Sequence, residues 1–280
     1  MVNGVDDMTK VENIELMASR MRRRILDMSL RCEGPTHLGG GLSIVEILAV
    51  LYGCIMNYRT NDTRWANRDR FILSKGHGVL GYFSALAEVG IINEEVFRSF
   101  KVNGSPLIAH PVMNLDLGIE SSNGSLGQGL SLAVGMGWAA RRKGETWRVY
   151  LVLGDGECNE GSVWEAAMAA SQYKLGNIIV VVDNNQFQSD GSTDEIISTS
   201  RLVEKWRSFG WNVHEADGHN VDELSKALTN GVALHQPTCV IAHTVKGKGI
   251  DFMENNNEWH HNRLTQSAYE KAVASLEANS

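Results

Sequence analysis

The 280-residue chain is expected to adopt an α/β fold, a doubly wound and mostly parallel sheet flanked by helices. Three observations predict it. From Val149 onward, four short apolar runs (RVYLVLGDG, NIIVVVDNN, GWNVHEADG and PTCVIAHTV) each end in polar or glycine residues. Their unbroken β-branched character marks strands buried on both faces. Helical stretches at roughly 161–175, 199–209 and 221–234 separate them, and strand–helix alternation is the mark of a parallel sheet.

The elements before Val149 are read in order. Ile14, Met17, Ala18, Met21, Ile25 and Met28 recur at helical spacing, so residues 10–31 should form an amphipathic helix. Arg20, Arg22, Arg23 and Arg24 are then expected on its solvated face. Glu33-Gly34-Pro35 breaks this helix, and Gly39-Gly40-Gly41 follows. Ser43 and Glu46 have the spacing of a capping box, which would start a helix through Ile44, Ile47, Leu48 and Leu51. Residues 57–70 are polar and irregular, and a further helix is expected over 78–89. No repeat, low-complexity segment or linker divides the chain. It reads as one domain over 1–280 with an extended tail from about 249, either mobile or wrapped over a neighbour.

Composition excludes some classes. A net charge of −7 argues against general nucleic-acid binding, which needs clustered Lys/Arg. The four cysteines (Cys32, Cys54, Cys158, Cys239) form no CxxC pair, so free thiols in a reducing compartment are expected. MVNGVDDMTK carries no signal-peptide pattern, and no apolar run is read as approaching the roughly 20 residues needed to span a bilayer. The expectation is a soluble, cytoplasmic protein.

Chemistry concentrates at two strand ends. In Leu153-Gly154-Asp155-Gly156, two glycines flank an acid, which lets backbone approach a phosphate and turn sharply. Asp155 is a hard oxygen ligand suited to Mg²⁺ or Ca²⁺. The next strand ends at Asp183-Asn184-Asn185, and parallel pairing would set Asn185 beside Asp155. Such strand ends are where doubly wound sheets bind ligands. A dinucleotide fingerprint fails, because its third glycine position is Asn159, and no G-x-x-x-x-G-K-[ST] loop occurs. The pair therefore reads as a metal–phosphate site.

GDG followed about thirty residues later by NN resembles the signature of thiamine-diphosphate enzymes. SKGHG (74–78), SNGSLGQGLS (122–131), GDGECNEGSVWEAAMAASQYKLGN (154–177), DNNQFQSDG (183–191), DGHN (217–220) and TVKGKG (244–249) narrow the resemblance to the transketolase family. It covers the N-terminal, pyrophosphate-binding half, to about residue 265, and implies the pyrophosphate-type thiamine-diphosphate fold.

The resemblance implies roles residue by residue. Asp155, Asn185 and the carbonyl of Phe187 would hold the metal, with Gly154, Asp155, Gly156, Glu157 and His77 around the diphosphate. Gly124 and Leu126 would line the cofactor, and Glu160 matches a carboxylate of the interface network. His37 and His110 match substrate histidines. His260 matches one that assists proton transfer, work that suits imidazole near neutral pH. His214, His219, His235 and His243 read as structural, although His219 sits in the DGHN loop.

Departures from the family fall at the sugar end. GPTHLGG and SNGSLGQG differ from the usual loops, and Trp259-His260-His261-Asn262 has histidine where glycine is usual. Either His260 or His261 could face the substrate. In the family, a carboxylate from a following pyrimidine-binding domain activates the cofactor. With the chain stopping at Ser280, the resemblance implies a separate C-terminal subunit, an α₂β₂ heterotetramer, and no activity from this chain alone.

The leading expectation is thus one subunit of a split, thiamine-diphosphate-dependent transketolase moving a two-carbon ketol unit between sugars. Alternatives are a relative acting on a branched, sulfonated or nucleotide-linked sugar, and a non-catalytic regulatory subunit. An α subunit of a 2-oxo-acid dehydrogenase would lack the SKGHG and SLGQG loops.

Overall fold

The computed structural model describes residues 3–278, with side chains from residue 10; residues 1–2 and 279–280, the ends of the expected 1–280 domain, lie outside the described residues. In chain order the elements are α1 (Asn3–Arg31), β1 (Pro35–Thr36), α2 (Leu38–Leu42), α3 (Val45–Val50), β2 (Arg70–Leu73), α4 (Val79–Glu88), α5 (Glu94–Arg98), α6 (Gly129–Lys143), β3 (Val149–Gly154), α7 (Gly161–Gln172), β4 (Ile178–Asn184), α8 (Thr193–Ile196), α9 (Leu202–Ser208), β5 (Asn212–Asp217), α10 (Val221–Thr229), β6 (Thr238–His243), β7 (Asn262–Arg263) and α11 (Gln266–Ala278).

Five strands form one parallel sheet in the order β2-β3-β4-β6-β5. Side chains alternate between its faces, and both faces are buried. Tyr150, Val152, Ile179, Val181 and Val240 join a core with α1, α3 and α4. Leu151, Leu153, Val180, Val182 and Ile241 join a second core with α7 and Trp206 of α9. Full burial of each such side chain stabilises by about 1.5–3 kcal/mol, and that doubled burial explains the near-continuous apolar runs.

Of the elements the sequence reading missed, β2 and α6 bear most on the sheet. The irregular stretch 57–70 ends in β2, a four-residue strand that pairs with β3. Helix α6 has glycines at 129, 135 and 137, which weaken helix propensity. Packing overrides that: a Cβ on Gly137 would lie 2.9 Å from Ile178 Cγ1, so only glycine lets α6 approach β4 so closely.

Other expectations need correction. Arg22 is buried and paired with Glu46, and Arg24 bridges Glu88 and Glu94, so the arginine run is only partly a solvated face. Buried carboxylates on neighbouring helices pull these cations inward. The capping box does not form. Ser43 is buried past the end of α2 and donates to Asp183 (2.7 Å), while the N-cap position of α3 is Ile44, without a side-chain cap. A buried carboxylate, needing donors more than a backbone N–H needs an acceptor, takes that hydroxyl from the helix end. One run, Leu38–Ile55, is 18 residues long and apolar enough to span a bilayer, yet 83% of it is buried inside this protein. It is core.

The tail from about 249 is folded, not extended. Ile250 and Met253 are buried, β7 pairs antiparallel with β1, and α11 lies on α1, where the Tyr269 hydroxyl meets Asp27 at 2.7 Å. Apolar residues on α11, with Ala272 fully buried, drive this return. Through the β1–β7 pairing, the end of the chain reaches the loop that carries His37.

Candidate functional site

Asp155 and Asn185 stand one position beyond β3 and β4. The register sets Gly154 opposite Asp183, and the Asp155 N–H donates to Asp183 O (3.1 Å), so the ladder runs on to the acid itself. Asp155 caps the next turn by accepting the Gly156 N–H (2.7 Å), and its other oxygen accepts the Gln186 N–H (2.5 Å). The Asn185 amide oxygen accepts the Phe187 N–H (3.0 Å), and its amide nitrogen donates to Asp183 (2.8 Å). Both side chains are thereby fixed before any ligand arrives.

Asp183, fully buried directly behind, organises this end of the sheet. It accepts from Lys75, Ser43 and Thr244, which gathers three separate segments onto one carboxylate, and from Asn185 of its own strand end. Burial pushes its pKa up, but the Lys75 ammonium and these donors prevail and hold it below the usual range. Asp155 lies under the opposite balance. It makes no ion pair among the described residues, and burial, with Asp183 as a like charge, raises it to about 7. That carboxylate lacks a cation, and a divalent ion is what its environment fits.

These groups border a cavity of about 400 Å³. Every residue implied by the family resemblance lines it: His37, His77, His110, Gly124, Leu126, Gly154, Asp155, Gly156, Glu157, Glu160, Asn185, Phe187 and His260. Placement within it differs. Glu160 is exposed, just before α7. Glu157 is turned inward, where its carboxylate accepts from Ser74 (2.5 Å), Gly127 N (2.9 Å) and Gly154 N (3.1 Å). It braces three loops, and burial raises its pKa.

The histidines gather around His37. Its ring centroid lies 5.5 Å from His77, 5.9 Å from His110, 5.4 Å from His260 and 4.4 Å from His261. Burial, then neighbouring positive charge, lowers His37 to about 4, His260 to about 3 and His77 well below its ordinary value. His110 is lowered as well, again first by burial. At neutral pH these four imidazoles are uncharged, so each has one donor and one acceptor nitrogen. Both late histidines approach His37, and of the two only His260 lines the cavity.

Three residues inside the motifs were not recognised from sequence as part of the site. Lys75 lines the cavity, and Asp183 anchors it from behind. Lys246 donates to Asn257 (2.7 Å), His260 Nδ1 (2.8 Å) and Gln188 O (3.3 Å). Because an ammonium only donates, His260 must accept at Nδ1 and carry its proton on Nε2. Burial and the charge of Lys75 lower Lys246 to about 8. The available signal was a lysine between glycine-marked turns in both SKGHG and TVKGKG.

Comparison with known proteins agrees with this geometry. Residues 15–277 match the family model described as transketolase, thiamine diphosphate binding domain. An apulose-4-phosphate transketolase subunit of Phocaeicola vulgatus is 37% identical over 265 residues, covering 94% of this chain and 94% of that protein. A 6-deoxy-6-sulfo-D-fructose transketolase subunit of a Clostridium species is 41% identical, covering 87% of this chain and 89% of its own. Among solved structures, the transketolase of Leishmania mexicana superposes with a TM-score of 0.87 at 28% identity; the match covers 94% of this chain but 41% of that one.

Proposed function

The chain belongs to the transketolase family, as its thiamine diphosphate binding domain, and on that premise we propose that it binds thiamine diphosphate with a divalent cation and, with a separate second subunit, transfers a two-carbon ketol unit from a ketose to an aldose. The observation that carries this is the buried Asp155 carboxylate, without an ion-pair partner, facing the same cavity as Asn185, Phe187 and four neutral histidines.

Among the described residues, no three His, Cys, Asp or Glu side chains gather into a metal cage. A cation held by Asp155, Asn185 and the Phe187 carbonyl would fill its shell from the diphosphate, which makes metal and cofactor binding interdependent. His77 has a donor for the same anionic oxygens, and the ammonium of Lys246, held against the cavity residues His260 and Gln188, would add positive charge behind them. When bound, thiamine diphosphate supplies the electron sink for breaking and making the carbon–carbon bond. His37, His110 and His260 would orient sugar hydroxyls as uncharged imidazoles, and His260, whose Nδ1 accepts from Lys246, would present its Nε2 proton to a developing alkoxide.

The second subunit is supported by relatives named as subunits whose whole length this chain nearly covers. It would carry the pyrimidine-binding domain, in an α₂β₂ assembly. Four cysteines unpaired in the fold support a reducing, cytoplasmic setting. Co-purification with a candidate second subunit, then a ketol-transfer assay with thiamine diphosphate and Mg²⁺, tests the proposal. Activity from this chain alone would refute the two-subunit arrangement, and cofactor-independent activity would refute the chemistry.

One observation favours a modified sugar. His261 stands 4.4 Å from His37, a cavity residue, at a position where the family usually has glycine. Relatives named for apulose 4-phosphate and for 6-deoxy-6-sulfo-D-fructose support the same reading. Ketol transfer from a branched or sulfonated ketose, compared with an ordinary ketose phosphate, distinguishes the two.

A further inference from the structure

The DGHN loop puts no residue in the cavity, yet its histidine faces the loop whose Lys246 holds two cavity residues, His260 and Gln188. The Val245 N–H donates to His219 Nε2 at 2.8 Å, so His219 carries its proton on Nδ1 and gives it to Glu46 Oε2 at 2.9 Å. The other oxygen of Glu46 takes Arg22, whose Nε donates to Lys248 O at 3.1 Å. One cluster therefore grips the 244–249 loop at both ends: Val245 through its N–H and Lys248 through its carbonyl. Between these grips lies Lys246. Gly247 turns the chain there at φ +81°, where a Cβ would strike Met253 O at 2.3 Å. Arg22 and Glu46 are buried, and the Arg22 guanidinium holds Glu46 below the usual carboxylate range against the upward push of burial.

We propose that His219 and Glu46 are positioning residues for Lys246, fixing the 244–249 loop so that its ammonium holds His260 at the wall of the cavity. The proposal rests on the cofactor reading of the cavity for its consequence, and on the loop geometry alone for its existence. Neither residue lines the cavity. Losing the His219 contact frees Val245 and lets Lys246 leave Asn257 and His260 for solvent. Glutamine spans the same two partners, an amide oxygen to the Val245 N–H and an amide nitrogen to Glu46.

Two measurements test it. In the cofactor-free full chain, acylation of Lys246 by an amine reagent, read by peptide mass spectrometry at pH 8, should quicken severalfold in His219→Ala and return toward wild type in His219→Gln. Unchanged Lys246 reactivity in a folded His219→Ala, or no return in a folded His219→Gln, overturns the proposal. In the assembled enzyme, His219→Ala should weaken thiamine diphosphate binding about tenfold, the equivalent of one hydrogen bond to a charged group. Adding it to Lys246→Ala should then weaken binding no further, because residues acting through one another are non-additive. Additive losses overturn the positioning role. If Lys246→Ala binds the cofactor like wild type, the cofactor reading of this lysine fails instead, and the reactivity measurement still decides the positioning.

Discussion

Replacing Lys75 by methionine removes the cation from the most buried ion pair of the site. Lys75 is 1% exposed and Asp183 is fully buried, so the mutation leaves a buried carboxylate without its ion-pair partner. Breaking such a pair from one side costs about 3–5 kcal/mol. Ser43, Thr244 and Asn185 continue to donate to Asp183, which puts the expected loss near the lower end, about 3 kcal/mol. Urea unfolding followed by tryptophan fluorescence and circular dichroism measures it. Adding Asp183→Asn to Lys75→Met removes the stranded charge while keeping an acceptor, and should recover at least half of the loss.

The pH dependence supplies the sign. In the native chain Asp183 sits below its ordinary value, so the pair contributes stability above the unfolded carboxylate pKa of about 4, and that stability is lost as pH falls through the folded value. In Lys75→Met burial dominates, the folded pKa rises above the unfolded one, and stability falls as pH climbs past about 4. The penalty should therefore be smaller at pH 5 than at pH 8. A loss below about 1 kcal/mol, or one equal at both pH values, would show that Asp183 is not the charged hub inferred here.

Two further outcomes concern the ligand. Asp155→Ala should abolish Mg²⁺-dependent binding of thiamine diphosphate by calorimetry while leaving the fold intact, since Asp155 makes no ion pair in the described structure; binding equal to wild type would refute the metal assignment. His261→Gly should relieve the crowding at His37 and raise kcat/KM for an ordinary ketose phosphate relative to a modified one. A change confined to kcat, alike for both donors, would place His261 outside donor selection.

Much of the site could be read from the chain because its chemistry is local. Asp155 and Asn185 follow apolar runs whose ends were recognisable, and parallel strands one helix apart must bring such ends together. His37, His77 and His110 sat in glycine- or proline-marked loops. What was not legible depended on distant partners. Lys75 and Lys246 look like ordinary surface cations until Asp183 and His260 are placed beside them, and nothing in the periodicity of α1 distinguishes buried Arg22 from exposed Arg23. Ser43 obeyed the capping rule in sequence, then turned to a buried carboxylate 140 positions away. Glu157 carried the polarity of a ligand-binding acid and serves as a brace between loops.

Sequence alone therefore determined the parallel α/β architecture, the two strand ends that carry Asp155 and Asn185, and the family to which they belong, because strand burial and glycine-marked turns impose short-range patterns on residue type. Tertiary structure alone decided which charges are buried, how the 249–278 segment folds back to bring His260 and His261 against His37, and how a histidine of the DGHN loop reaches the loop of Lys246. Those are pairings between residues tens to hundreds of positions apart, and no local pattern encodes whether a given carboxylate or cation will find its partner in water or in the core.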